Sequence, residues 1–115
     1  MLSESLKSKI LEFRRQRDWE KFHDARSLTA AIAIEAAELQ EIFLWAKDGE
    51  VAGRVTEQRE HIEQEVADVA IYLACLCHDL GIDLEASVEK KLAINEAKYP
   101  VEKSRGSSKK YDQLG

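Results

Sequence analysis

At 115 residues the chain is too short for two hydrophobic cores, so it is expected to fold as one domain. Its 44% hydrophobic and 34% charged residues, one Pro and five Gly describe a soluble globular protein and favour helix throughout, which makes all-α the expected class. A net charge of −5 argues against nucleic-acid binding, and Glu35, Glu38, Gln40 and Glu41 interrupt the apolar run 28–46 and exclude a membrane span there. The N-terminus MLSESLKSKILEF is amphipathic with both signs of charge; it reads as neither a signal peptide nor a transit sequence, and a cytoplasmic location is expected.

In chain order, a first helix spans residues 3–17, with Ser3 or Ser5 as its cap and Leu6, Ile10 and Phe13 on one face. The connection 18–26 concentrates Trp19, Phe22, His23 and Arg26, groups suited to stack on and hydrogen-bond a planar ligand; the residues alone favour the plainer reading of a loop pinned to the core. Ser27 is the expected N-cap of a second helix that ends near Lys47, before Asp48-Gly49. A third helix begins between Val55 and Glu60 and stops at Gly81. Asp83 caps a fourth, Leu84 to about Lys98, with Leu84, Val88, Leu92, Ala93 and Ile94 facing in. Pro100 ends it, leaving a helical domain over residues 1–100 and a flexible Ser- and Lys-rich tail over 101–115. Cys75 and Cys77 lie about 200° apart on a helix at ~100° per residue, so they cannot bridge each other; with His78 they match no zinc spacing and read as core residues.

Acids break the apolar spacing of the two central helices. Leu28, Ala31, Ile32, Glu35, Leu39 and Ile42 keep the three- and four-residue steps of one helix face, and Glu38 lies one turn beyond Glu35. On the third helix the stripe Ile62, Val66, Val69, Leu73, Leu76 and Leu80 is flanked by Glu65 and Asp68. Each helix thus directs a pair of carboxylates inward. Converging carboxylates repel in a low dielectric, so they need cations or protons, and an all-oxygen donor set suits Mg2+ or Mn2+. One such pair is as readily a solvated helix face; two pairs on two apolar stripes favour a site. Both helices are apolar over more than one face, which a chain this short buries only by self-association. Lys91, Asn95 and Lys98 form a strip on the fourth helix able to hold phosphates, against the alternative of an ordinary solvated lysine face.

Glu35-x-x-Glu38 followed, after residues 39–64, by Glu65-x-x-Asp68 resembles the ExxE…ExxD signature of the all-α nucleoside triphosphate pyrophosphohydrolases, the MazG-like family. Arg17-Asp-Trp19-Glu-Lys-Phe-His23, Arg26-x-Leu28, Phe43-Leu-Trp45, Asp68-Val-x-x-Tyr72-Leu, Lys91-Leu-Ala-Ile-Asn95, Lys98-Tyr99-Pro100 and Ser107-Ser-Lys-Lys-Tyr111 look like its dCTP pyrophosphatase branch. The likeness covers nearly the whole chain. The four acids alone arise by chance in Glu-rich helices; the accompanying Trp, His, Asn and Tyr-Pro residues give it specificity. Ile34 departs from the pattern, since many family members carry a further Glu there, and no role of that acid is expected here.

The resemblance implies a four-helix bundle assembling as a dimer or as a dimer of dimers (a homotetramer), with sites at subunit interfaces. It implies Mg2+-dependent cleavage of a dNTP to dNMP and pyrophosphate, with Mn2+ as a substitute, in the house-cleaning of nucleotide pools. It assigns the metal to Glu35, Glu38, Glu65 and Asp68, and catalysis to Glu38 and Glu35, with Glu38 preferred to orient or deprotonate the water. Triphosphate contacts fall to Lys91, Asn95, Lys98 and Tyr99, and Tyr72 lies by the sugar; the tail is able to close over the substrate. For the base, Trp45 follows Glu38 by seven residues, about 10 Å along a continuous helix at 1.5 Å per residue, with Trp19 closing from the other side and His23 reading the ring edge. Stacking accepts any base, so edge hydrogen bonds must discriminate, and dCTP or a 5-substituted dCTP is the expected substrate. The rival readings are a non-enzymatic four-helix interaction module with exposed acids, and a di-iron bundle. The latter lacks its Glu-x-x-His pairs, since Gln58 stands three residues before His61.

Overall fold

The computed structural model describes residues 2–113; Met1 and the last two positions of the expected tail, Leu114 and Gly115, lie outside the described residues. Six α-helices follow one another: α1 (Glu4–Gln16), α2 (Ala25–Glu41), α3 (Val51–Glu57), α4 (Arg59–Leu80), α5 (Leu84–Lys98) and the single turn α6 (Val101–Ser104). Short 3-10 turns occupy Glu20–Phe22 and Tyr111–Gln113. The expected all-α class holds, with 75% helix and no strand among the described residues. The chain divides into two units, Met1–Gly81 and Ile82–Gly115.

In the first unit α4 is the central element, with α2 packed along it and α1 and α3 against it. Helix α1 starts at Ser3, whose hydroxyl accepts from the Leu6 N–H at 3.1 Å, and ends in a left-handed turn at Asp18, φ 54°. A short polar residue tolerates that conformation better than a bulky one. The Asp18 carboxylate pairs with Lys21 at 2.9 Å, and the reversal lays Trp19 edge-on against Phe13, ring centroids 5.7 Å apart. Asp24, and not the expected Ser27, caps α2. Asp24 has the extended backbone a cap requires (φ −95°, ψ 173°), and its carboxylate accepts from the Ser27 N–H at 2.7 Å, which places Ser27 already inside the helix.

The expected end of α2 near Lys47 is also corrected. Beyond Glu41 the bonds tighten to i−3, Phe43 N–H to the Gln40 carbonyl at 2.9 Å and Ala46 N–H to the Phe43 carbonyl at 3.0 Å, so the chain leaves the helix before Trp45. Gly49, φ 85°, serves a separate turn in which the Glu50 carboxylate accepts from the Lys47 N–H. A one-residue break at Gln58 separates α3, which the apolar pattern did not reveal, from α4. Gly81, φ 65°, ends α4 as expected.

Few side chains are fully enclosed: Leu28, Ile42 and Cys75 form the apolar centre, with Arg14 and Glu65 as buried polar members. Burial pushes the Cys75 thiol up, as the core reading requires. The inward stripe on α4 is only partly enclosed; Val66 and Leu80 are exposed because no element of the first unit covers them. Arg14 fastens α1 to α4 by a bidentate pair with Asp79, both N–H···O distances 2.8 Å. In the second unit Asp83 caps α5 through the Ala86 N–H at 3.1 Å, as expected, whereas Val88, Leu92 and Ile94 are exposed on this chain. Tyr111 returns against Tyr99, centroids 6.3 Å apart, with Lys98 Nζ 4.7 Å above its ring.

The Arg14 guanidinium raises the affinity for charge at Asp79 and holds that carboxyl below its ordinary 3.8. A lowered carboxylate contributes stability above its unfolded value, and the contribution disappears as pH falls through the folded one. Asp79→Ala strands a guanidinium only 4% exposed and is expected to cost about 3 kcal/mol in urea unfolding at pH 7, against under 1 kcal/mol if the pair were idle.

Candidate active site

Where α2 packs on α4, Glu35, Glu38 and Glu65 each offer a carboxylate oxygen, and the three lie within 4.8 Å of one another. Both helices run well past the acids on either side, so regular backbone geometry fixes the positions. Asp68, the expected fourth member, is not in this trio, although its charge acts on Glu35. The reading in which all the acids are solvated fails at Glu65, which is 8% exposed.

The cluster is strained electrostatically. Glu35 is pushed up to about 7, first by the close approach of the Glu65 carboxyl, then by burial, by the neighbouring Glu38 carboxyl and by the charges of Glu38 and Asp68. Oε2 of Glu35 and Oε2 of Glu65 are enclosed and have no hydrogen-bond partner. Two enclosed, unpartnered carboxylate oxygens beside a third acid fit a hard divalent cation. His61, one turn before Glu65, holds that residue's other oxygen, Nε2 to Oε1 3.3 Å.

A cleft of about 460 Å3 opens beside the acids, lined by Glu38, Glu41, Ile42, Arg54, Gln58, His61 and Glu65. Arg54, Gln58 and His61 were not among the residues expected at the site. His61 had a signal in the spacing, since it stands one turn before Glu65 on α4, whereas Arg54 belongs to α3 and Gln58 to the break between the helices.

Of the expected base and sugar group, His23 and Tyr72 meet edge to face at 6.3 Å, and the His23 Nδ1 is enclosed without a partner. Trp19 lies on Phe13, and Trp45 is 79% exposed in the turns beyond α2. The reach of about 10 Å from Glu38 to Trp45 assumed a continuous helix and does not apply. Lys91, Asn95, Lys98 and Tyr99 lie on and just after α5 in the second unit.

A carboxyl raised from 4.5 to about 7 takes up a proton on folding, so the metal-free protein is expected to lose stability as pH rises across that interval. Melting curves in EDTA at pH 5 and pH 8 test this: the wild type should melt lower at pH 8, and Glu35→Gln should remove most of the difference. An unchanged difference in the variant would assign the titration to other groups.

The chain is similar to known proteins along most of its length. A curated relative from Homo sapiens, "dCTP pyrophosphatase 1", is 41% identical over 90% of this chain and 62% of its own length; its Rattus norvegicus counterpart is 40% identical over the same shares. The chain therefore spans somewhat under two thirds of the curated relatives it matches. A solved pyrophosphatase from Archaeoglobus fulgidus superposes with a TM-score of 0.82 at 40% identity, covering 84% of this chain and 91% of that one. The MazG-like family model matches residues 30–114, which contain all four acids of the signature, and the chain belongs to the MazG-like family.

Proposed function

We propose that the chain is a divalent-metal-dependent pyrophosphohydrolase that converts a dNTP, with dCTP or a 5-substituted dCTP preferred, to dNMP and pyrophosphate in the cytoplasmic house-cleaning of nucleotide pools. The convergence of Glu35, Glu38 and Glu65 with two enclosed, unpartnered oxygens carries this reading. The relatives named dCTP pyrophosphatase 1 support the substrate. No helix among the described residues is long and apolar enough to cross a membrane.

Glu35, Glu38 and Glu65 would hold Mg2+ or Mn2+, with Asp68 adding charge from one turn away. The bound cation would neutralise phosphate charge and polarise the anhydride. Glu38 is the exposed member of the trio and lines the cleft, which suits it to take the proton of the attacking water, while the less exposed Glu35 and Glu65 anchor. Water adds across the α–β anhydride, its proton passes to the carboxylate, and pyrophosphate departs from the monophosphate. His23 and Tyr72 would hold base and sugar, with Trp19 and Trp45 as further stacking surfaces. Lys91, Asn95, Lys98 and Tyr99 would supply phosphate contacts, and the segment after Pro100 would close over the substrate. The exposure of Ile34, Val66 and Ile71 on the central helices supports a homo-oligomer, dimer or tetramer.

Incubation with Mg2+ and each dNTP, followed by product separation, should give dCMP and pyrophosphate from dCTP, with no orthophosphate. Glu38→Gln should lower kcat by about 100-fold or more with the helices retained, the scale of losing a positioned base. Formation of dCDP and orthophosphate, or full turnover in EDTA, contradicts the reading. Tyr72→Ala and Trp19→Ala should raise KM for dCTP well above their effect on kcat; unchanged KM in both would remove them from the base pocket. Sedimentation at dilute concentration should show dimers or tetramers, and an active monomer would refute assembly.

A further inference from the structure

The cleft beside the acids contains one permanent cation among its lining residues, Arg54 of α3. A guanidinium facing Glu38, Glu41 and Glu65 would ordinarily pair with a carboxylate, as Arg14 does with Asp79. Arg54 does not. Half-buried, it makes no ion pair or side-chain hydrogen bond among the described residues. Its backbone alone is engaged, through the Glu50 carbonyl at 3.0 Å and the Gln58 N–H at 2.9 Å. The residue therefore lines the cleft with its guanidinium donors free.

Its place along the helices gives those donors a direction. Gln58, the residue just before α4, precedes Glu65 by seven residues and Tyr72 follows it by seven, each roughly 10 Å along the axis at 1.5 Å per residue. The acids thus sit between an aromatic end, Tyr72 with His23, and a polar end, Arg54 with Gln58, where the cleft has no aromatic lining. A neutral base gains little among three carboxylates, whereas the planar fork of an arginine matches phosphate oxygens and offsets the repulsion a polyanion would meet there.

We propose that Arg54, with the Gln58 amide beside it, is the subsite for the two phosphates that leave as pyrophosphate, additional to the phosphate contacts on α5. The assignment rests on the pyrophosphohydrolase reading above. Titration calorimetry of inorganic pyrophosphate into the full-length protein in Mg2+ tests it. Arg54→Met is expected to weaken pyrophosphate binding about tenfold or more, the scale of a lost charge-assisted pair, and Arg54→Lys to fall between it and the wild type. Binding of dCMP, and of Mn2+ followed by electron paramagnetic resonance, should match the wild type in both variants.

Wild-type pyrophosphate affinity in Arg54→Met, no pyrophosphate binding by the wild type, or an equal loss of dCMP binding would each overturn the subsite. Arg54-dependent pyrophosphate binding in a protein that turns over no nucleoside triphosphate would sink the functional reading and leave the subsite standing. Turnover of dCTP with pyrophosphate binding indifferent to Arg54 would do the reverse.

Discussion

The structure depends on the repulsion between carboxylates that α2 and α4 bring together as they pack. A plain apolar seam would associate more favourably in the absence of metal, because each of these acids gives up water and gains a like-charged neighbour. The rise of Glu35 to about 7 measures that conflict from within the fold. Much of the surrounding architecture keeps the conflict in place. Long helices hold the acids away from fraying ends, His61 restrains one oxygen of Glu65, and the Arg14–Asp79 pair ties α1 to the other end of α4. The cluster is costly on its own and would be complementary to a hard divalent cation.

The parts of the fold that were legible in the sequence are those where one residue has a single good role. Gly81 and Asp83 punctuate their helices as expected, since each stands alone at a change of pattern, and of the two serines offered for α1 it is Ser3 that caps it. Asp24 and Ser27 are both good caps, and only the backbone at Asp24 decides between them. The end of α2 was hidden because Ile42 to Ala46 continues an apolar period without a breaker, and tightening of hydrogen bonds by one residue leaves no compositional trace.

The same contrast holds at the site. Glu35, Glu38 and Glu65 were visible because acids on an apolar stripe are anomalous, whereas Asp68 shares the sequence signature but not the immediate cluster. Arg54 went unread because an arginine on a short polar helix is unremarkable until a cleft is seen beneath it. Val66 and Leu80 belong to the apolar stripe read from the sequence yet are exposed on this chain, so periodicity alone overstated how much of α4 a single chain covers.

The early end of α2 has an evolutionary consequence. Glu35 and Glu38 belong to one regular helix and Glu65 to another, so the trio keeps its spacing only while both helices keep their register, whereas Trp45 belongs to the run of turns between Glu41 and Val51. Such a connection tolerates changes of length and sequence that a helix interior does not. Substitution or insertion there can therefore remodel the surface around Trp45 while the carboxylates stay together.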